Sequence, residues 1–217
     1  YTYDIEPDVA ELQVFGWLPY STRRRNLHQL LVAYGVTITR SDTGGMLFTF
    51  LKAIDSQKIP SSRVFNGGSV VYGEPASRVE VLEHGYHYLS TTEYEVLYDT
   101  QAETVENVLV TFDKPIYAPS LMVEEGGDLT ISSSGTNFAV ISGTGILKGK
   151  PYVHTVKRLT ADNGDALTEK IVTVEEATLV TVANSESVLA RLSAYYFHAT
   201  TVQNSIIVDG ETTGKRY

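Results

Sequence analysis

After residue 60, apolar and charged side chains alternate with a period of two, and this constrains the fold more than any other feature. Val79 and Val81 bracket Glu80, and Tyr86 and Tyr88 continue the run. Tyr94, Val96 and Tyr98 interleave with Glu93 and Glu95, and Val108, Val110 and Phe112 repeat the spacing. Successive strand residues point to opposite faces, so this period marks strands with one buried face. Turn signals separate the runs at Asn66-Gly67-Gly68, Gly126-Gly127-Asp128 and Asn163-Gly164-Asp165. Residues 129–158 continue the pattern, and Ile171 to Val174 read as one more strand. Short strands at this spacing predict a sandwich or barrel. Composition agrees, because 24 Val, 24 Thr and 14 Tyr in 217 residues favour strands over helices. Apolar residues at 42% supply a core and exclude a disordered chain.

Two segments break the period. Glu11 to Phe15 reads as a short strand, followed by a turn at Gly16-Trp17-Leu18-Pro19-Tyr20 and a helix capped by Ser21 or Thr22. Leu27, Leu30, Leu31 and Tyr34 recur at helical spacing, so we expect them buried together against the hairpin 36–51. Gly35 suits a left-handed helix end, and Ser41-Asp42-Thr43-Gly44-Gly45 suits the hairpin turn between Val36–Arg40 and Met46–Leu51. Near the other end, Asn184 or Ser185 is placed to cap a second helix. Its expected apolar stripe is Val188, Leu189, Leu192, Tyr195, Tyr196 and Ala199, and a strand over Gln203 to Val208 follows.

Several chemistries are excluded or disfavoured. The chain has no cysteine, which removes disulfides, thiol nucleophiles and thiolate metal sites. His28, His84, His87, His154 and His198 lack metal-ligand spacing. His84 and His87 are three apart on a strand and face opposite sides, so they read as surface or hairpin residues. Ser142-Gly143-Thr144-Gly145 has no phosphate-binding lysine and reads as a hairpin turn. Glu124-Glu125 reads as a solvated pair rather than a glycosidase dyad. We therefore expect no enzyme activity, metal or cofactor.

Charge is uneven. Of the net −9, residues 93–128 contribute −8, with nine acids against Lys114 alone. Such a face repels phosphates, so duplex DNA should bind weakly. Arg23, Arg24 and Arg25 place three cations in the first turn of the first helix, against its dipole. A neighbouring acid within the chain, a partner subunit or an anionic ligand should offset them, and the subunit reading makes these arginines the candidate subunit contact. The 14 tyrosines could instead form a sugar-stacking face, but many fall at inward-looking positions such as Tyr34 and Tyr195.

The segment Leu12-Gln13-Val14-Phe15-Gly16-Trp17-Leu18-Pro19, then Thr22-Arg23 and Asn26 to Val36, resembles a module of phage and prophage tail hub proteins. Leu189 to Tyr196 followed by Ile206-Ile207-Val208-Asp209-Gly210-Glu211 is similar to a later segment of the same family. The resemblance covers about a third of the chain and none of 91–178. It implies a trimeric structural ring that joins tail tube to tip around a DNA channel, with other tail proteins as partners, a location in the virion, and no catalytic residues. The chain starts at Tyr1 and stops at Gly214-Lys215-Arg216-Tyr217, so we expect a piece of a longer protein. Together these readings predict a mainly β (α+β) chain of short antiparallel strands in sandwich- or barrel-like subdomains with two amphipathic helices. The expected division is 1–90, a β-rich 91–178, and a helix–strand segment 179–217 packing on the first. The alternative is a secreted β-sandwich binding module, an adhesin or carbohydrate-binding domain, which an exposed row of tyrosines over a groove would favour. No stretch is apolar enough to span a membrane as a helix.

Overall fold

A computed structural model describes residues 2–41, 44–50, 64–66, 70–100, 103–124, 127–198, 200–203 and 207–208. The chain is mainly β, as its alternation requires, and its strands lie in small antiparallel and mixed sheets that do not close into a barrel. Two separate cores result.

The first core is built on a ten-residue strand. In chain order the elements leading to it are β1 (Tyr3–Ile5), α1 (Pro7–Ala10), α2 (Arg23–Tyr34), β2 (Val36–Arg40), β3 (Met46–Phe50), β4 (Val64–Asn66), β5 (Val70–Gly73) and β6 (Arg78–His87). β1, β3 and β2 form one sheet, with β1 parallel to β3 and β2–β3 the expected hairpin. Glu11 to Phe15 is not a strand. Glu11 closes α1, and the Phe15 N–H donates to the Tyr34 hydroxyl at 2.9 Å instead of entering a ladder. Thr22 caps α2 by accepting from the Arg25 N–H, and Gly35 ends it at φ 67°. The Arg191 guanidinium lies against Gly35 and donates to the Val32 carbonyl at 2.5 Å, so a cation meets the negative end of the helix.

The chain then leaves this unit. β7 (Glu95–Asp99), β8 (Val105–Thr111), a 3-10 turn at Ala118–Ser120, β9 (Met122–Val123), β10 (Thr130–Ser134), β11 (Phe138–Gly143) and β12 (Ile146–Gly149) make the second core. Sheet β10-β11-β8 faces sheet β7-β12-β9 over Val110, Phe112, Ile116, Leu129, Ala139, Ile141 and Leu147. Ser142 to Gly145 was expected as a hairpin turn, but it is the corner where the chain crosses between these sheets. Gly143 and Gly145 adopt φ of 106° and 151°, and the Thr100 hydroxyl holds the corner through Gly145. A side chain at Gly143 would strike the Asp128 carbonyl. Glycine is needed there for both reasons.

β13 (Val153–Asp162) returns to the first unit and pairs antiparallel with all of β6, from His87↔Val153 to Arg78↔Asp162. β14 (Ile171–Val174) adds to the other edge of β6 in parallel, so both strands belong with the first core rather than with the middle of the chain. α3 (Ser185–Tyr196) covers this sheet, and β15 (Thr200–Gln203) and β16 (Ile207–Val208) pair with β5 and β4. Val79 and Val81 meet Val180, Leu179 and Val188, with Leu189, Leu192 and Tyr196 around them. Tyr195, expected in the stripe, is 58% exposed, because α3 turns it away from β6. Ala199 and the turn residues 67–68, 126 and 209–210 lie outside the described residues.

Asn184 occupies the N-cap position of α3 but does not cap it. Its Oδ1 accepts from the Thr181 N–H at 2.8 Å. Its Nδ2 donates to the Leu179 carbonyl at 3.1 Å and to the Ala33 carbonyl at 3.4 Å. The Ser185 hydroxyl instead donates to the Glu83 carboxylate at 2.5 Å. One side chain therefore ties the C-terminal turn of α2 to the start of α3.

Candidate functional site

Arg23, Arg24 and Arg25 lie on the exposed first turn of α2. Arg25 reaches Glu176 at 3.4 Å, an acid within the chain, with both side chains largely in solvent. Such a pair contributes little stability. It partly offsets the cationic first turn, and Arg23 and Arg24 stay exposed beside it.

The face of α2 expected to be deeply buried is only half-buried. Leu27, Leu30, Leu31 and Tyr34 line a groove of roughly 390 Å³ together with Val36, Met46 and Phe48 of the hairpin, β1 and the segment after α1. The buried residues of α2 are Gln29 and Ala33, on the side turned to α3. Ala33 is small enough for α3 to pack closely, and Gln29 is held by the Thr178 hydroxyl at 2.9 Å. Around the groove, Tyr3 is 63% exposed, Ile5 45% and Val14 49%.

A second concavity, of roughly 530 Å³, opens where the two cores meet. Its aromatic walls are Phe15, Trp17, Tyr86 and Tyr152, with His84 and His87 beside them. The N-terminal segment reaches it through Gly16, whose φ of 109° and close approach to the Thr178 carbonyl leave no room for a side chain. Thr178 donates to the Trp17 carbonyl at 2.6 Å, which fixes this wall. Across the cleft, Asn137 donates to the Leu18 carbonyl at 2.8 Å, and Tyr20 meets Phe138, so the second core is anchored to the first.

Three rings stack beside this cleft. His84, Tyr86 and His154 lie within 9° of parallel, with centroids 5.1 Å apart for His84–His154 and 5.0 Å for Tyr86–His154. His84 Nδ1 lies 2.9 Å from His154 Nε2, and His84 Nε2 lies 3.3 Å from the Glu175 carbonyl. His84 is thus a buried strand residue and not the surface histidine its sequence suggested; only 6% of it is exposed. Burial pushes its pKa below the ordinary value, the Glu175 carbonyl opposes this, and His154 adds to the lowering. Burial raises the Tyr86 phenol to about 12, and its hydroxyl donates to the Thr178 carbonyl at 3.2 Å. His84 and His154 come together only through the β6–β13 register, and nothing in their spacing marks them as a pair.

Tyr152 continues the aromatic surface outward. Tyr88 stacks on Tyr117 with centroids 3.8 Å apart, Tyr152 meets both edge-on, and Lys150 sits 4.8 Å over the Tyr94 ring. Tyr88 and Tyr94 are exposed. On the acidic stretch, Lys114 pairs with Glu95 and Lys148 with Glu124 at 2.8 Å, while Glu125 lies outside the described residues.

Among the described residues no three His, Asp or Glu side chains gather as metal ligands, and no helix is long and apolar enough to cross a membrane. Three hydrogen bonds of the cleft join side chains to backbone carbonyls, an arrangement suited to fixing a shape. No protein-family model, no curated protein and no solved structure matches this chain.

Proposed function

We propose that the chain works by assembly with other proteins, as a structural component of a phage or prophage tail in the hub or tail-tip region, without catalysis. The observation that carries this reading is the groove on the helix–hairpin unit, with Tyr3, Ile5 and Val14 exposed around it. Exposed apolar surface of this kind marks contact sites for other proteins. More than half of the groove's lining, Leu12, Val14, Leu27, Leu30, Leu31, Tyr34 and Val36, comes from the segment that resembles tail hubs, and the arginine turn begins the same helix. In this reading the full-length protein is a homotrimer in the virion, its partners are other tail proteins, and it binds neither membrane nor duplex DNA tightly. Replacing Ile5 and Val14 together by Asp tests it. Both are exposed, so the melting temperature should move by no more than about 2 °C, while incorporation into tails, scored by immunoblot of purified particles, should drop at least tenfold. Unchanged incorporation refutes the groove as the assembly surface.

A second reading, a secreted binding module for carbohydrate, draws on the exposed tyrosines beside the 530 Å³ cleft. Trp17 is the single tryptophan and lines that cleft, so its fluorescence should respond to saturating oligosaccharide if this reading holds. A silent titration against a glycan panel removes it.

A further inference from the structure

The Glu175 carbonyl only accepts hydrogen bonds, so His84 Nε2 must carry a hydrogen. A neutral imidazole has one N–H, which leaves His84 Nδ1 bare to accept from His154 Nε2–H at 2.9 Å. His154 is exposed, and a further proton fits on its Nδ1 without disturbing this contact. A second one does not fit. It would have to sit on His84 Nδ1, placing N–H against N–H at a residue that is only 6% exposed.

We propose that His84 and His154 form a latch that fastens the segment 175–180 to β6 while the pair carries at most one extra proton, and opens when it takes up two. The latch has three points. The His84 N–H donates to the Val180 carbonyl at 2.8 Å, His84 Nε2 holds the Glu175 carbonyl, and the Tyr86 hydroxyl holds the Thr178 carbonyl. Burial adds to the resistance against the second proton, the Glu175 carbonyl opposes it, and His154 acts in the same direction as burial.

The charged neighbours do not relieve the conflict. On its own strand, His84 shares a face with Glu80, which Arg158 of β13 engages at 2.9 Å and Arg78 at 3.9 Å. The segment after β14 brings Glu175, which presents its carbonyl, and Glu176, which pairs with Arg25. The Phe15–Trp17 wall brings no charge. Opening the latch frees Thr178, whose hydroxyl donates to the Trp17 carbonyl, so acid should loosen the cleft wall.

The test uses the whole chain labelled with ¹⁵N. Imidazole shifts recorded from pH 8 to 4.5 identify each tautomer, and Trp17 fluorescence and exchange of the His84 amide follow the latch. At pH 8, His84 should be the Nε2–H tautomer. On acidification the doubly protonated pair should appear together with a step in fluorescence and a fall of at least about tenfold in His84 amide protection. In His154→Gln the amide donates to His84 Nδ1 at high pH and turns its oxygen to it at low pH, so the step should vanish. His28→Gln, on exposed helix surface, should keep it. A His84 cation that forms while its amide stays protected overturns the proposal, and so does an identical acid step in His154→Gln. Should that variant fail to fold, the wild-type shifts and exchange decide alone.

Discussion

Asn184 offers the sharpest test of how the two ends of the chain are joined. It is 9% exposed, and its side chain serves the Thr181 N–H and the Leu179 and Ala33 carbonyls. Truncation in Asn184→Ala removes bonds of 2.8 and 3.1 Å and a marginal one of 3.4 Å. Each good bond contributes about 1 kcal/mol net, and a buried donor left without a partner costs about 1–3 kcal/mol. The Thr181 N–H is such a donor, so the expected loss is about 2–4 kcal/mol. Asn184→Asp separates the contributions. It keeps the acceptor for Thr181 and gains about 0.3–1 kcal/mol from the helix N-terminus. It also sets a carboxylate against two carbonyl oxygens, so at neutral pH it should be no better than Ala. Protonating that carboxyl restores one donor, so the Asp variant should recover relative to Ala as pH falls. Urea unfolding followed by far-UV circular dichroism and Trp17 fluorescence measures both, with the exposed Glu186→Ala as a control expected within about 0.5 kcal/mol. A loss below about 0.5 kcal/mol in Asn184→Ala would show that water satisfies these groups and that Asn184 does not join the helices.

Three further outcomes follow from the same geometry. Leu147 is fully buried in the second core, and Leu147→Ala should cost about 2–5 kcal/mol by urea unfolding. Gly35→Ala should cost about 1–2 kcal/mol in the same assay, because φ is 67° and the new methyl meets the Arg191 guanidinium, whereas Gly44→Ala, with open space around it, should suffer the backbone strain alone. Stability should fall as pH drops below about 6.5, since the unfolded chain takes up a proton that folded His84 resists. Above that pH both states leave His84 neutral and this contribution is flat, and in His84→Gln the acid-side slope should shrink.

The strands were legible because burial on one face imposes a period of two, which holds for β14 and for 107–111 of β8. In β7 the expected face was the wrong one, since Tyr94 and Val96 are exposed and Leu97 packs on the second core. The ends of α2 were legible because Thr22 and Gly35 act within a few residues of themselves. Three features were not. Glu80 interrupts the apolar run of β6 and looks solvated, but two arginines from the same sheet face let it be buried. Gly143 and Gly145 signal a turn without saying whether the next strand stays in the sheet or leaves it. The His84–His154 contact depends on a register between strands separated by the whole second core, and no local pattern encodes it. The arginine turn was visible, and its partner Glu176 was not, for the same reason of distance along the chain.

That register has a consequence for the order of folding. β6 and β13 form one long hairpin whose connection is the entire excursion 88–152, about 65 residues beginning and ending at the adjacent pair His87↔Val153. Closing an unfolded connection of that length costs about 3 kcal/mol more than closing a two-residue turn. If the second core forms first, its own packing brings Tyr88 against Tyr152 and sets the two strand ends side by side, and the hairpin then closes as though its turn were short. The inserted sandwich is therefore the natural nucleus, and the sheet that carries α3 should consolidate after it.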